Sequence, residues 1–389
     1  MDIHHPLLLL GGLSPAQFMR RHWQKKPLLV RGAIVNFKPL LSRQELVKLA
    51  SRESVGSRLI VKSGSGWHMK NGPTAPRRLP PMSRPDWTLL VQSVDAHHDG
   101  IHQLLQKFRF VPDARLDDLM ISLASTGGGV GPHFDSYDVF LLQASGRRTW
   151  QIGRQKNLAL QSGVPLKILQ HFEPEEEFVL EAGDMLYLPP RYAHNGTAVA
   201  TSGANGKSVD CMTYSIGFKA PSQSQLAAQL LAKLAEITED EEHAPQHQPK
   251  LYSDRSQKAT ATPAELPGSL LAFADAALTR ALGEPHALAC AVGEILTMPQ
   301  ATIWFDEPQT TWATHAAQGM ALDIKTRMMY DAHHIFINGE SYLAKGEDAS
   351  LMHLLANDRS LSHQSLTKCS AGAAALLADW HAAGWVHFV

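Results

Sequence analysis

The sequence predicts an α+β chain: a double-sheet jelly roll at its centre, then a helical segment, then a small winged-helix module. Three observations carry this prediction. From Leu116 onward, short aliphatic and aromatic runs at 119–123, 139–142, 149–152, 178–180, 185–188 and 212–218 alternate with Gly, Pro and Asp, the texture of an all-β sandwich or barrel. After Lys219-Ala220-Pro221 the texture turns helical, with Leu226, Leu230 and Leu234 at i, i+4, i+8. Over 299–389, Asn338-Gly339 stands between extended flanks and 371–382 reads as a helix ending near Gly384, a hairpin and helix compatible with a winged helix.

The elements follow in order. Ser14-Pro15-Ala16-Gln17 places an N-cap, a proline at the first helical position and a capping-box glutamine before an α-helix. Ser42-Arg43-Gln44-Glu45 repeats the signal. A third helix is expected from about Pro85, because Trp87, Leu90, Val91 and Val94 recur at helical spacing. The strands of the roll occupy 116–218, completing a first domain over 1–218. Ser222-Gln223-Ser224-Gln225 caps the first helix of a region over 219–298, which also holds Ala-rich helices at 269–282 and 285–296. Between them, 239–267 is polar and interrupted by proline, and reads as loop or partly disordered chain. The domain over 299–389 is winged-helix-like.

A length of 389 residues suits two to three domains, and 44% hydrophobic with 19% charged residues describes a folded globular protein. Cys211, Cys290 and Cys369 are odd in number and widely spaced, which excludes a disulfide framework and fits a reducing, cytoplasmic setting. The first residues lack a basic signal region, and Gly11-Gly12 ends the leucine run, so neither a secretory signal nor a membrane span is expected. Lys plus Arg number 36 against 37 Asp plus Glu, so the footprint of a dedicated nucleic-acid binder is missing from the whole. Charge is uneven, however. Residues 1–115 hold 18 Lys/Arg and 7 Asp/Glu (18 − 7, net +11), while 299–389 hold 5 and 9 (5 − 9, net −4). An acidic winged helix is a poor phosphate binder, and direct nucleic-acid binding is not expected of the chain.

The chemistry concentrates in Gly127-Gly128-Gly129-Val130-Gly131-Pro132-His133-Phe134-Asp135 and in Gly183-Asp184-Met185-Leu186-Tyr187-Leu188-Pro189-Pro190-Arg191-Tyr192-Ala193-His194. On a strand, i and i+2 share a face, so His133 and Asp135 can present an imidazole and a carboxylate to one ion. His97-His98-Asp99 has the same composition beside Gly100 at an expected helix end, and lacks the strand context. In the second segment Gly183-Asp184 reads as a hairpin turn, and Pro189-Pro190 as a rigid exit that delivers His194 from a neighbouring strand. Two histidines and one carboxylate form the facial triad of non-haem Fe(II) oxygenases, with open positions for a co-substrate. Gly146-Arg147-Arg148-Thr149-Trp150 supplies an anchor: only one of the two arginines can face into the roll. An inward guanidinium fork suits a carboxylate such as the distal one of 2-oxoglutarate.

These segments, together with 117–122, Tyr137-Asp138-Val139-Phe140, 214–218 and His22-Trp23-Gln24-Lys25-Lys26-Pro27, resemble the cupin-fold (double-stranded β-helix), JmjC-type 2-oxoglutarate oxygenases. Within them the chain most resembles the bacterial ribosomal oxygenases, arginine hydroxylases of the sixteenth large-subunit ribosomal protein. The resemblance is strong over 14–219 and weaker beyond, and Arg191 stands where the general cupin pattern has glycine. It implies Fe(II) at His133, Asp135 and His194. It also implies 2-oxoglutarate on Arg148 with Ser122 assisting, O2 as second co-substrate, and Asp118, Tyr137 and Ser215 as substrate-pocket residues for a guanidinium. A ribosomal protein is the implied substrate and a homodimer through the middle helices the implied assembly. The alternatives are the same chemistry on another protein or small molecule, and a non-catalytic metal-binding module.

Overall fold

The computed structural model describes residues 2–64, 66–203, 208–242, 250–255, 258–260, 262–283, 286–308 and 318–389. It divides into two compact units, Met1–Ala220 with Ala301–Trp304, and Pro221–Gln300 with Phe305–Val389.

The first unit runs α1 (Pro15–Arg21), β1 (Leu28–Val30), α2 (Arg43–Ala50), β2 (Ser57–Ser63), β3 (Gly66–Asn71), β4 (Trp87–Val91), α3 (Asp99–Gln106), β5 (Leu116–Ala124), β6 (Asp138–Ser145), β7 (Arg147–Gly153), β8 (Glu176–Leu180), β9 (Met185–Leu188), β10 (Ala193–Val199) and β11 (Cys211–Phe218). Both expected capping boxes form, at Ser14/Gln17 and Ser42/Glu45. The helix expected from Pro85 is instead the strand β4, whose five residues are all buried. A strand covered on both faces is continuously apolar, and a short apolar run does not distinguish the two periods.

Two antiparallel sheets make the roll. The larger has the order β1-β9-β6-β11-β5-β4-β2-β3, and the smaller β10-β7-β8. Period-2 alternation divides the larger sheet's side chains. Leu119, Ile121, Phe140, Leu142, Tyr214 and Ile216 point outward into the core that also takes Phe18, Leu46 and Leu104 from the three helices. The opposite face turns Asp118, Met120 and Ser122 of β5 and Thr213, Ser215 and Gly217 of β11 toward the smaller sheet. One end of this interior is sealed by Leu141, Leu186, Leu188, Trp150 and Ile152. The His22–Pro27 segment seats the chain start on the barrel: Trp23 stacks on Tyr187, and the Gln24 amide donates to the buried Asp138 carboxylate at 3.1 Å.

The second unit holds α4 (Gln223–Glu242), α5 (Gly268–Gly283), α6 (Ala287–Thr297), β12 (Met320–Leu322), β13 (Met328–Tyr330), β14 (His334–Ile337), β15 (Glu340–Leu343), α7 (Gly346–Asp358), β16 (Ser360–Leu361), α8 (His363–Leu366), α9 (Ala371–Ala382) and β17 (Val386–Phe388). The Ser222/Gln225 capping box opens α4, and that helix continues into the stretch expected to be loop from 239. Much of the rest of 239–267 lies outside the described residues, and its described parts carry no helix or strand. Asn338 and Gly339 turn β14 into β15 with φ of 48° and 92°, the left-handed pair that a two-residue hairpin requires. The sheets β16-β12-β17 and β13-β14-β15 enclose an apolar core with α7 and α9, built on Leu355, Leu377 and Trp380, in a winged-helix arrangement. Among the described residues no helix is long and apolar enough to cross a membrane.

Candidate metal centre

His133 is not on a regular strand. It makes a single antiparallel bridge to His194, with His133 N–H donating to His194 O at 3.0 Å and His194 N–H to His133 O at 2.8 Å. Two backbone bonds therefore lock the two histidines side by side, their ring centroids 4.2 Å apart. Asp135 follows in a loop rather than on the expected strand, and that loop is fastened by the Arg191 N–H donating to Asp135 O at 2.6 Å. Arg191 adopts φ 63°, so it occupies the left-handed conformation that glycine would favour there. Gly183-Asp184 likewise turns without making a hairpin, since β8 pairs with β7 while β9 pairs with β1 and β6.

Ligand atoms of His133, Asp135 and His194 all lie within 4.8 Å of one another, the one such His/Cys/Asp/Glu group among the described residues. Their hydrogen bonds define the tautomers. Nδ1 of His133 faces Gly131 O at 2.9 Å and Nδ1 of His194 faces Tyr192 O at 3.0 Å. A carbonyl only accepts, so both Nδ1 atoms carry the proton and both Nε2 lone pairs are free. Nε2 of His194 points at Asp135 Oδ2, 3.7 Å away. Burial and then the adjacent His133 imidazole push His194 down to about 4, keeping it neutral and ligand-competent. Two free imidazole nitrogens and a carboxylate around one point fit a first-row divalent ion that retains open positions. His98, by contrast, caps the start of α3, accepting from the Ile101 N–H at 3.3 Å. His97-His98-Asp99 thus opens a helix where a helix end was expected.

Arg147 and Arg148 separate as alternation requires: Arg147 is near Glu181 at the surface, whereas Arg148 is 4% exposed. Inside, Arg148 donates at 3.3 Å to Gly196 O and at 3.4 Å to Ser122 Oγ, both long, and its Nε has no hydrogen-bond partner among the described residues. A buried guanidinium without a carboxylate is costly, and the donors left over match a bidentate anion. Trp150, to which the sequence pattern assigns no role, stacks obliquely on His194 and lies 5.7 Å from the Arg148 guanidinium. Gly196 is what admits it, because a Cβ there would be 2.6 Å from the indole.

Toward the other end of β5, about 13 Å from Ser122 at 3.3 Å per residue, Asp118, Tyr137 and Gly217 come together. A Cβ on Gly217 would sit 3.8 Å from Asp118 Oδ1 and 3.9 Å from the Tyr137 ring. At this throat desolvation, then the carboxylates of Asp135, Asp118 and Asp117, push the Tyr137 phenol upward; Asp117 itself faces the other side of β5, 3.6 Å from the Lys219 ammonium. Asp118 also holds Ser93, accepting from its N–H at 2.8 Å and its hydroxyl at 3.1 Å. Ser215 is half-buried on the same inner face, opposite Met120 and Leu141.

Residues 103–226 match the JmjC domain family and residues 283–387 the ROXA-like winged helix. Over 217 residues the chain is 38% identical to the ribosomal protein uL16 3-hydroxylase of Escherichia coli (strain K12), covering 55% of each protein. It is 34% identical over 219 residues to a probable ribosomal oxygenase of Haemophilus influenzae, covering 55% of this chain and 52% of that one. The chain thus spans about half the length of the curated relatives it matches. Its fold is similar to the X-ray structure of E. coli YcfD at a TM-score of 0.80 and 28% identity, covering 96% of this chain and 98% of that one. A second YcfD structure, a ribosomal oxygenase in complex with cobalt and 2-oxoglutarate, gives 0.76 at 28% identity, covering 96% and 97%.

Proposed function

We propose, from the premise that the chain carries a JmjC domain and a ROXA-like winged helix and is similar to bacterial ribosomal oxygenases, that it is an Fe(II)- and 2-oxoglutarate-dependent hydroxylase acting on an arginine of a large-subunit ribosomal protein. The observation that carries the reading is the pairing of an open His133–Asp135–His194 ligand set with an inward, under-bonded Arg148 in the same cavity. An Fe(II) ion held by these three side chains supplies, with 2-oxoglutarate and O2, the power to hydroxylate an unactivated carbon.

The chain's own residues set up the reaction. The carbonyls of Gly131 and Tyr192 fix the imidazoles with Nε2 toward the ion. Arg148, with Ser122, takes the distal carboxylate of the co-substrate and sets its orientation. Trp150 covers one side of the site and keeps water out. Asp118 beside Tyr137 attracts a cation, while the Tyr137 ring offers a face and Ser215 a hydroxyl to a guanidinium.

The test loads the protein anaerobically with iron and mixes it with 2-oxoglutarate and the purified ribosomal protein. Succinate and the target's intact mass are read after oxygen is admitted. One added oxygen on an arginine supports the reading; succinate without it leaves the oxygenase and moves the substrate elsewhere. Neither product favours a metal-binding module.

A homodimer is part of the proposal. The helix α5 has no buried residue and leaves Leu271 and Leu278 more than half exposed, an apolar face that a second copy would cover. Leu271→Glu with Leu278→Glu is expected to halve the mass measured by light scattering.

A further inference from the structure

Trp67, with Lys62 beside it, packs on the loop that leads into His133. A Cβ on Gly131 would lie 3.0 Å from Trp67 and 3.1 Å from Ile168, so those two side chains clasp the backbone just before the first histidine. Lys62 is the cross-strand partner of Trp67, and its ammonium lies 5.6 Å from the centre of a Trp67 ring. Lys62 N–H donates to Asp86 O at 2.8 Å, and the Asp86 carboxylate lies against Gly127 at the start of the loop. Arg84 lies two residues before Asp86 in the chain, and Lys167 next to Ile168.

The charge of this border is one-sided. Between Glu53 and Asp86 the chain holds Arg58, Lys62, Lys70, Arg77, Arg78 and Arg84 and no acidic residue. This segment accounts for much of the N-terminal excess that the hydroxylase chemistry leaves unexplained. Lys62, Arg77, Arg78, Arg84 and Lys167 are exposed. The throat inside has the opposite sign at Asp118, which lies with the Tyr137 ring beside Gly217. A free, strongly basic protein would be drawn to the throat and repelled by the rim. A basic protein whose neighbourhood is neutralised by phosphates meets both signs correctly. Trp67 is half-buried and offers an aromatic surface among these cations, the combination that holds unpaired bases. Among the described residues of 58–84 no large hydrophobic side chain is exposed, which disfavours insertion into a bilayer.

Against the expectation drawn from the chain's near-zero net charge and acidic winged helix, we propose that this rim binds a single-stranded RNA segment, so that the side chain entering the throat is offered by a protein still in contact with RNA. The presentation rests on the hydroxylase reading; the RNA contact does not.

The experiment measures fluorescence anisotropy of a labelled oligouridylate with the full chain over a series of salt concentrations. Affinity is expected to fall with salt at a log–log slope of about −2 or steeper, at about −0.7 per phosphate contact. Lys62→Gln with Arg84→Gln is expected to weaken binding about tenfold at low salt and flatten the slope by about 1.4. Trp67→Ala is expected to weaken it about fivefold with the slope kept, and Trp67→Phe, which preserves packing and a ring, to restore most of the loss. The proposal is overturned by absence of oligouridylate binding at low salt, by wild-type binding in the Lys62/Arg84 variant, by equal competition from polyglutamate, or by binding confined to phosphatidylserine vesicles. The succinate and mass assay runs in parallel. Hydroxylation of free protein without RNA binding sinks the rim alone; RNA binding without hydroxylation supports the rim and sinks the hydroxylase reading.

Discussion

The interior of the jelly roll and the core of the C-terminal unit fill their buried space differently. The winged-helix core is closed with aliphatic side chains, Trp380 and methionines, and its buried Thr326 and Asn338 are spent on turns, donating to Trp385 O or accepting from the Arg327 N–H. The roll instead keeps Ser122, Arg148, His194 and Thr213 buried on facing sheets, and the Arg148 Nε and Trp150 Nε1 lack hydrogen-bond partners among the described residues. An unpartnered Nε1 also occurs in the C-terminal core, at Trp380; the roll differs in burying a charge, Arg148, with only two long hydrogen bonds among the described residues, and an unpaired buried charge costs more than an unpartnered neutral donor. The lesson is that a buried, under-bonded charge, rather than an unpartnered polar atom as such, marks the candidate cavity.

The sharpest way to break this contrast is Asp135→Ala, which removes one ligand of the set and is expected to abolish succinate formation from 2-oxoglutarate. Normal succinate production by that variant with iron supplied would remove the triad from the mechanism. Arg148→Ala comes next. Loss of the fork is expected to raise KM for 2-oxoglutarate roughly thirtyfold, the equivalent of ~2 kcal/mol, and Arg148→Lys to recover only part of it because a point charge does not reproduce a bidentate contact. An unchanged KM in both variants would make Arg148 structural. In the other core, Leu377→Ala opens a cavity at a fully buried site and is expected to cost about 2–5 kcal/mol. Calorimetry should show the loss in the C-terminal unit while 2-oxoglutarate turnover stays intact; a parallel fall in turnover would mean the two cores are coupled.

The smallest effect is alkaline. Burial pushes the Tyr214 phenol up to about 12, though its oxygen accepts from the Leu40 N–H, and burial and then Asp138 push Tyr187 up as well. The folded roll holds these protons where the unfolded chain, ionising near 10, releases them. The stabilisation is therefore complete below about pH 10 and lost as pH rises toward 12. No described tyrosine of the C-terminal unit is buried, so the roll should show the steeper alkaline loss in a pH series of melting curves. Tyr214→Phe should flatten that loss.

Local signals were legible wherever chemistry and backbone act within a few residues. The capping boxes at Ser14, Ser42 and Ser222, the Asn338-Gly339 turn and the strands of the roll are all of this kind, because a cap or a period-2 pattern needs no distant partner. Misreadings arose where environment overrides local pattern. Trp87–Val91 is a strand because both of its faces are covered, and Gly183-Asp184 joins strands of different sheets.

The sequence by itself determined the residue types of the candidate metal centre, the alternation that turns one arginine of a pair inward, and the uneven charge. Only the tertiary structure decided that His133 meets His194 through a backbone bridge, that Trp150 fits because position 196 is glycine, and that Trp67 and Ile168 pack against Gly131 before the first histidine. The reason is physical: residue type and period are local properties of the chain, whereas a ligand set, a cavity wall and a surface potential are sums over residues far apart in sequence. Those sums exist only after the sheets have paired.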